Sequence, residues 1–116
     1  MRALLPWALV LPLLAACGEG AQQPPDISRI EQLRPAEARL AGLYERSCLL
    51  CHARAGSGAP LSGDAAAWQP RLAKGMDTLL ANARHGLGAM PAMGLCADCS
   101  EADLQALITF MSTRQP

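Results

Sequence analysis

The sequence predicts an all-α protein with four or five short helices in a single domain. Two stretches of the 116-residue chain repeat apolar residues at helical spacing. No stretch alternates between apolar and polar residues as a half-buried strand would. Glycine and proline are frequent between the predicted helices, where they favour turns and loops.

The first 16 residues are typical of a secretion signal. Arg2 precedes an apolar run over residues 3–14, and small residues follow it. The run is short of the roughly 20 residues that a membrane-spanning helix needs, and Pro6 and Pro12 interrupt it. We therefore expect residues 1–16 to be removed from the mature protein.

Residues 17–34 are predicted to form a lipid-anchored amino terminus and tether. The segment ending at Cys17 reads Leu-Ala-Ala-Cys, which resembles a bacterial lipobox, so Cys17 would carry the lipid. Residues 18–26 are rich in Gly, Gln and Pro and have no apolar period. Gly18 after the lipidated residue favours the outer membrane. Ordinary cleavage beside an incidental cysteine is the alternative.

Residues 35–116 are predicted to be the folded domain. Its first helix begins at Pro35, a residue favoured at a helix start. The apolar positions of this helix recur at helical spacing: Leu40, Leu43, Tyr44 and Cys48.

The middle of the domain alternates between loops and short helices. Glycines, serines and a proline make residues 53–64 a loop. Short helices are expected over residues 65–72 and 76–84, with Gly75 between them.

A second loop precedes the last helix. Gly86 and Gly88 end helical structure, and a capping-box pattern at 100–103 begins the final helix. The apolar face of that helix comprises Leu104, Leu107, Ile108 and Met111.

The composition indicates a domain that needs extra bulk in its core. Once residues 1–16 are removed, the aromatic residues are Tyr44, Trp68 and Phe110. So few large side chains leave a small domain marginally stable unless a cofactor or crosslink adds to the core. The charge is balanced, since removing Arg2 from 10 basic and 10 acidic residues leaves 9 against 10. Without a basic stripe, nucleic acid is not expected as a partner.

The strongest motif is Cys48-Leu49-Leu50-Cys51-His52, the C-x-x-C-H pattern of covalent haem c attachment. On a helix, Cys48 shares one face with Cys51 and His52. The two thiols would then form thioethers with the haem vinyl groups, and His52 would be the proximal iron ligand.

Two other chemistries use similar cysteines. A thioredoxin-like dithiol expects a βαβ context, which this chain lacks. A structural zinc site needs four ligands, which could be the four cysteines Cys48, Cys51, Cys96 and Cys99. Exported proteins, however, favour disulfides over zinc thiolates.

The sixth iron ligand would decide between electron transfer and gas binding. Met76 and Met111 lie on predicted helices, so core packing explains them better. Met90 and Met93 lie in a loop that is free of helical constraints, and His85 leaves bis-histidine ligation possible.

The haem motif and the segments downstream of it together resemble the cytochrome c5 family. The resemblance covers about residues 36–113. The segments that carry it are 48–52, 58–60, 63–64, 68–71, 88–91 and 94–104. It implies a small cytochrome c fold, wrapped around one covalently attached haem.

The resemblance also implies roles for residues beyond the haem motif. Met90 would be the distal ligand, with Met93 as its rival, and Cys96 and Cys99 would form a disulfide. The remaining implied contacts, to His52 and to the haem propionates, involve Pro60, Trp68 and Arg71. The Pro60 carbonyl would accept the His52 ring N–H, while the indole and guanidinium would donate to the propionates.

These features predict a single-electron carrier, not an enzyme, tethered by lipid to a membrane in the bacterial periplasm. Its partners would be a redox donor and a redox acceptor, with no small-molecule substrate. Two alternatives stay open. A haem domain with a labile sixth ligand would bind gas or peroxide, and a fixed haem subunit would belong to an oxidoreductase complex.

Overall fold

The computed structural model describes residues 23–114, and this part of the chain is helical without strands. The predicted leader over residues 1–16 and the lipid site at Cys17 lie outside the described residues. The helices are α1 (Ile27–Ile30), α2 (Ala38–Arg46), α3 (Leu49–His52), α4 (Ala65–Leu72), α5 (Met76–His85) and α6 (Glu101–Ser112). A 3₁₀ turn spans Ala92–Leu95. None of the helices within residues 23–114 is long and apolar enough to span a bilayer.

The predicted first helix is divided into α2 and α3. Helix α2 begins at Ala38, where the Glu37 carboxylate caps the first turn, and not at Pro35 as predicted. It ends at Arg46, because Ser47 leaves helical geometry at φ −131° and ψ −78°. The Ser47 hydroxyl donates to the Leu43 carbonyl, a bond back along the helix that bends such segments.

The core lies where α2, α4 and α5 pack against α6. Tyr44 and Leu107 are almost fully buried at its centre. The Tyr44 ring meets the Phe110 ring edge to face, with centroids 5.1 Å apart, as expected for packing between the first and last helices. The predicted capping box of α6 is also present, formed between Ser100 and Asp103.

Side-chain ion pairs tie α2 to the first turn of α6 and to the segment before it. Arg39 binds the Asp103 carboxylate at 2.7 Å, and Arg46 binds both oxygens of Asp98 at 2.7 Å. The pKa of Asp103 is held below its usual range, chiefly because its carboxylate accepts the Ser100 backbone N–H. The negative form of Asp103 therefore both caps α6 and holds α2.

A buried hydrogen bond joins α2 to the loop before α4, and we expect its loss to lower the stability of the domain measurably. The Tyr44 hydroxyl lies 2.8 Å from the Ser62 hydroxyl, and both side chains are fully buried. Tyr44→Phe leaves the Ser62 hydroxyl without that partner, so the free energy of unfolding should fall by about 1–3 kcal/mol. Denaturant unfolding would measure it.

Ser62→Ala and the double variant complete the test. Removing both hydroxyls should cost less than the two single losses combined, because no buried hydroxyl is then left without its partner. Additive losses, or a Tyr44→Phe protein as stable as the wild type, would contradict this prediction.

Candidate functional site

The two cysteines and the histidine of the C-x-x-C-H motif lie on one helical turn. The backbone N–H groups of Cys51 and His52 donate to the Cys48 carbonyl at 3.2 and 2.9 Å. Cys48 is half-buried, Cys51 is exposed and His52 is buried. All three line one cavity of about 540 Å³. The turn therefore presents two thiols and an imidazole to a single space.

The cavity is lined by residues of α3, α4, α5 and α6 and of the loops between them, and by none of α1 or α2. Its apolar walls come from α5 and α6 and include Leu79, Ala83, Ile108 and Met111. Of these, Leu79, Ala83 and Ile108 were not singled out as site residues from the sequence, and Met111 was considered as an iron ligand but assigned to core packing. Their spacing of four along α5 and three along α6 marks one face of each helix, which is the signal that could have found them.

The imidazole of His52 is held in one tautomer. Its Nδ1 lies 2.7 Å from the Pro60 carbonyl oxygen. A carbonyl only accepts, so Nδ1 carries the proton and Nε2 keeps the lone pair that a metal ligand needs. Burial lowers the pKa of His52, while the Pro60 hydrogen bond opposes this effect. The neutral, ligating form is thus favoured.

The thiol of Cys48 does not have the properties of a redox-active cysteine. Burial is the main cause that raises its pKa. Catalytic dithiols instead have a lowered pKa and an electropositive surrounding. The all-helical fold also lacks the βαβ context of thioredoxin-like sites.

Of the candidate distal ligands, Met90 lies in the cavity wall and Met93 does not. The Met90 loop (residues 86–95) closes on itself, because the backbones of Leu87 and Met90 exchange two hydrogen bonds of 3.0 Å. Gly86 has φ +85°, and a Cβ there would lie 2.9 Å from the Met90 carbonyl oxygen. Glycine at this position therefore permits the close return of the loop.

The other candidates for the sixth ligand occupy different places. Met111 also lines the cavity, but it does so from the buried face of α6. Met76 and His85, at the two ends of α5, lie outside the cavity wall.

Cys96 and Cys99 form a disulfide in the structure. It lies directly after the Met90 loop and before α6. Because these cysteines bind each other, a zinc site of four cysteines does not form. Within residues 23–114 the structure brings no three His, Cys, Asp or Glu side chains together as metal ligands.

Trp68 and Arg71 both line the cavity, but each donates to the backbone in the structure. The Trp68 indole N–H donates to the Leu61 carbonyl at 2.9 Å, and a guanidinium N–H of Arg71 donates to the Ala67 carbonyl. The indole is buried, whereas Arg71 is exposed. Their predicted contacts with propionates stay predictions.

The rim of the cavity is apolar on the side of the Met90 loop. Leu87 and Leu95 are 60% and 58% exposed and both line the cavity. Leu95 has φ +66°, which is uncommon for a residue other than glycine. The charged side chains among the lining residues, within the described chain, are Arg71 and Lys74, and both are basic.

The donor set fits a covalently bound haem. Two thiols one turn apart would match the two vinyl groups, an imidazole with a free Nε2 could bind the iron, and the Met90 thioether lies in the wall of the same cavity. The apolar walls match the face of a porphyrin.

Comparison with known proteins also indicates a c-type cytochrome. A family model described as cytochrome C oxidase, cbb3-type, subunit III matches residues 35–111. Cytochrome c5 from Azotobacter vinelandii is 51% identical over 67 residues, which cover 56% of this chain and 81% of that protein. Cytochrome c5 from Ectopseudomonas mendocina is 45% identical over 72 residues, covering 60% and 83%.

A solved structure supports the fold. It is the crystal structure of an electron transfer complex of nitrite reductase with cytochrome c, and it matches with a TM-score of 0.58 and 42% identity. The match covers 66% of this chain and 93% of that one. The sequence motif and the relatives together imply one covalently bound haem c. The chain therefore belongs to the class I c-type cytochromes, as a c5-like monohaem electron carrier.

Proposed function

We propose that this protein is a lipid-anchored carrier that moves single electrons between redox proteins in the bacterial periplasm. In this proposal His52 and Met90 are the axial ligands, and Cys48 and Cys51 carry the thioether bonds. The observation that carries it is that Met90 lines the same cavity as His52, whose Nε2 is free to bind iron.

The residues of the chain hold the site still during electron transfer. Bound haem supplies the one-electron couple between ferrous and ferric iron. Cys48 and Cys51 would hold it to α3, the Pro60 carbonyl holds the His52 imidazole, and the apolar walls from α5 and α6 would exclude water from it. A thioether ligand and an apolar pocket both favour the ferrous state, which raises the reduction potential.

The apolar rim favours brief docking of a redox partner. Leu87 and Leu95 offer exposed apolar surface beside the cavity, and Arg71 and Lys74 add positive charge. A small interface of this kind, below about 1,200 Å², is typical of transient electron-transfer complexes. The solved relative is itself a cytochrome c in an electron transfer complex with nitrite reductase, which supports a protein as the partner.

Carbon monoxide would test whether the iron keeps both ligands. We expect the reduced full-length protein, in detergent, to bind carbon monoxide slowly or not at all, because a sixth ligand occupies the iron. Absorption spectra of the reduced protein before and after addition of the gas would show this. Rapid, complete binding would instead support a labile sixth ligand and a role in gas or peroxide binding.

The anchor has a separate test. We expect the wild-type protein to sediment with membranes and to be released by detergent but not by high salt, because buried acyl chains hold it. Cys17→Ser should move the haem protein to the soluble periplasmic fraction. A Cys17→Ser protein that still sediments with membranes would contradict lipidation at this residue. Separation of inner and outer membranes would then locate the wild type.

One observation favours a second candidate function. The matching family model is described as a subunit of a cbb3-type oxidase. A haem subunit held in such a complex would copurify with other subunits at fixed stoichiometry after mild detergent extraction. A free carrier would elute alone.

A further inference from the structure

We propose that Trp68 is a positioning residue for His52, holding the plane of the imidazole through a stacked indole that is itself fixed by a hydrogen bond. This inference rests on the proposed ligation of iron by His52. It assigns the indole N–H to the polypeptide rather than to a haem propionate.

The two rings are stacked and shielded from solvent. Their centroids lie 5.7 Å apart and their planes differ by 23°. Trp68 is 4% exposed and His52 is 7% exposed, so protein rather than water surrounds the pair. An aromatic side chain this close limits how far the imidazole can tilt toward it.

Two successive carbonyls hold the two rings. The Pro60 carbonyl accepts the imidazole N–H at 2.7 Å, and the Leu61 carbonyl accepts the indole N–H at 2.9 Å. The two acceptors belong to adjacent planar peptide units that meet at the Leu61 Cα, so only the backbone dihedral angles of Leu61 set their relative position. We call residues 60–62 the brace segment.

The brace segment is itself anchored on the helix that carries the ligand. The Ser62 backbone N–H donates to the His52 carbonyl at 2.7 Å, so residue 52 is held by both its ring and its backbone. The Ser62 side chain is bound in turn by Tyr44.

Trp68 reaches His52 from a different helix, which makes it an independent support. Its backbone N–H donates to the Asp64 carbonyl at 3.1 Å, and the Asp64 side chain caps α4. The hydrogen bond with Pro60 fixes one atom of the imidazole but leaves the ring free to rotate about that contact. The indole face, fixed from α4, restricts this rotation.

The orientation of an axial imidazole has a direct spectroscopic signature. In a low-spin ferric haem, the plane of the imidazole and the orientation of the thioether together determine how the unpaired electron is spread over the porphyrin. The order and spread of the haem methyl proton resonances report this arrangement, and Trp68 contacts only the imidazole side of it. A substitution that merely loosens the core does not rotate the ligand and leaves this pattern in place.

The test uses the oxidised holoprotein and two variants of Trp68. Trp68→Phe keeps an aromatic ring but removes the N–H, and Trp68→Leu removes the stack as well. We expect the haem methyl pattern to change in Trp68→Phe and to change further in Trp68→Leu, with shifts in reduction potential that follow the same order. If Trp68→Leu does not fold, Trp68→Phe carries the test.

The control is Leu104→Ala, which opens the same core outside the cavity wall. Leu104 is 5% exposed and is not among the lining residues. We expect a less stable protein with the wild-type methyl pattern. Wild-type patterns in both Trp68 variants, or an equal change in Leu104→Ala, would overturn the inference. A wild-type protein without a histidine-ligated haem would instead refute the proposed function.

Discussion

The Met90→Ala protein is expected to lose the weak long-wavelength absorption of a thioether bound to ferric iron. Met90 lines the cavity that contains His52, whereas Met111, the other thioether in the wall, is packed on the buried face of α6. Because a thioether favours the ferrous state, its loss should lower the reduction potential by on the order of 0.1–0.3 V. Redox titration of the purified protein, followed by absorption, measures both effects.

Met93→Ala is the matched control for this experiment. Met93 is a half-buried methionine of the same loop, but it lies outside the cavity wall. Its variant should keep the absorption band and a potential near that of the wild type. If the band survives in Met90→Ala and disappears in Met93→Ala, the ligand is Met93. Met111→Leu should also keep the band.

Removing Cys48 and Cys51 together is expected to abolish covalent haem attachment. With alanine at both positions, no thioether can form, so acidified organic solvent should extract all the haem. The chain would also lose most of its helical circular dichroism, because the remaining core contains few large side chains. Haem staining after denaturing electrophoresis would show the loss of the bond.

The other cysteine pair supplies the control. The Cys96→Ala/Cys99→Ala protein should retain its haem through denaturing electrophoresis, because these residues bind each other instead of the cofactor. We expect it to be less stable by about 2 kcal/mol, the value for closing a loop of four residues. Retention of covalent haem by the Cys48→Ala/Cys51→Ala protein would show that the thioethers form elsewhere.

The sequence was sufficient to predict the helical fold and the attachment turn. The C-x-x-C-H motif requires its residues to share one face, so the placement of Cys48, Cys51 and His52 follows from helical geometry alone. The start of α6 could be predicted from an equally short pattern, because the side chains of Ser100 and Asp103 each accept a hydrogen bond from the backbone N–H of the other residue. Such local chemistry can be recognised in a pattern of four or five residues.

Features that depend on a choice between partners, or on the path of the chain, could not be predicted in the same way. The break at Ser47 depends on which acceptor its hydroxyl selects, and a serine in a helical pattern does not reveal that choice. The hydrogen bond between Trp68 and Leu61 depends on how the brace segment lies against α4. Likewise, Met90 and Met93 are equivalent by composition, and beyond the family resemblance only the path of their loop separates them.

The internal hydrogen bonds of the Met90 loop affect how fast its amide protons exchange with solvent. Its backbone bonds are largely internal: Leu87 with Met90, Gly94 to Pro91, and Cys96 to Met93. We therefore infer that its amide protons exchange slowly for a surface loop and are released together in one opening event. The Cys96–Cys99 disulfide follows the loop directly, so the chain is constrained again before α6 begins.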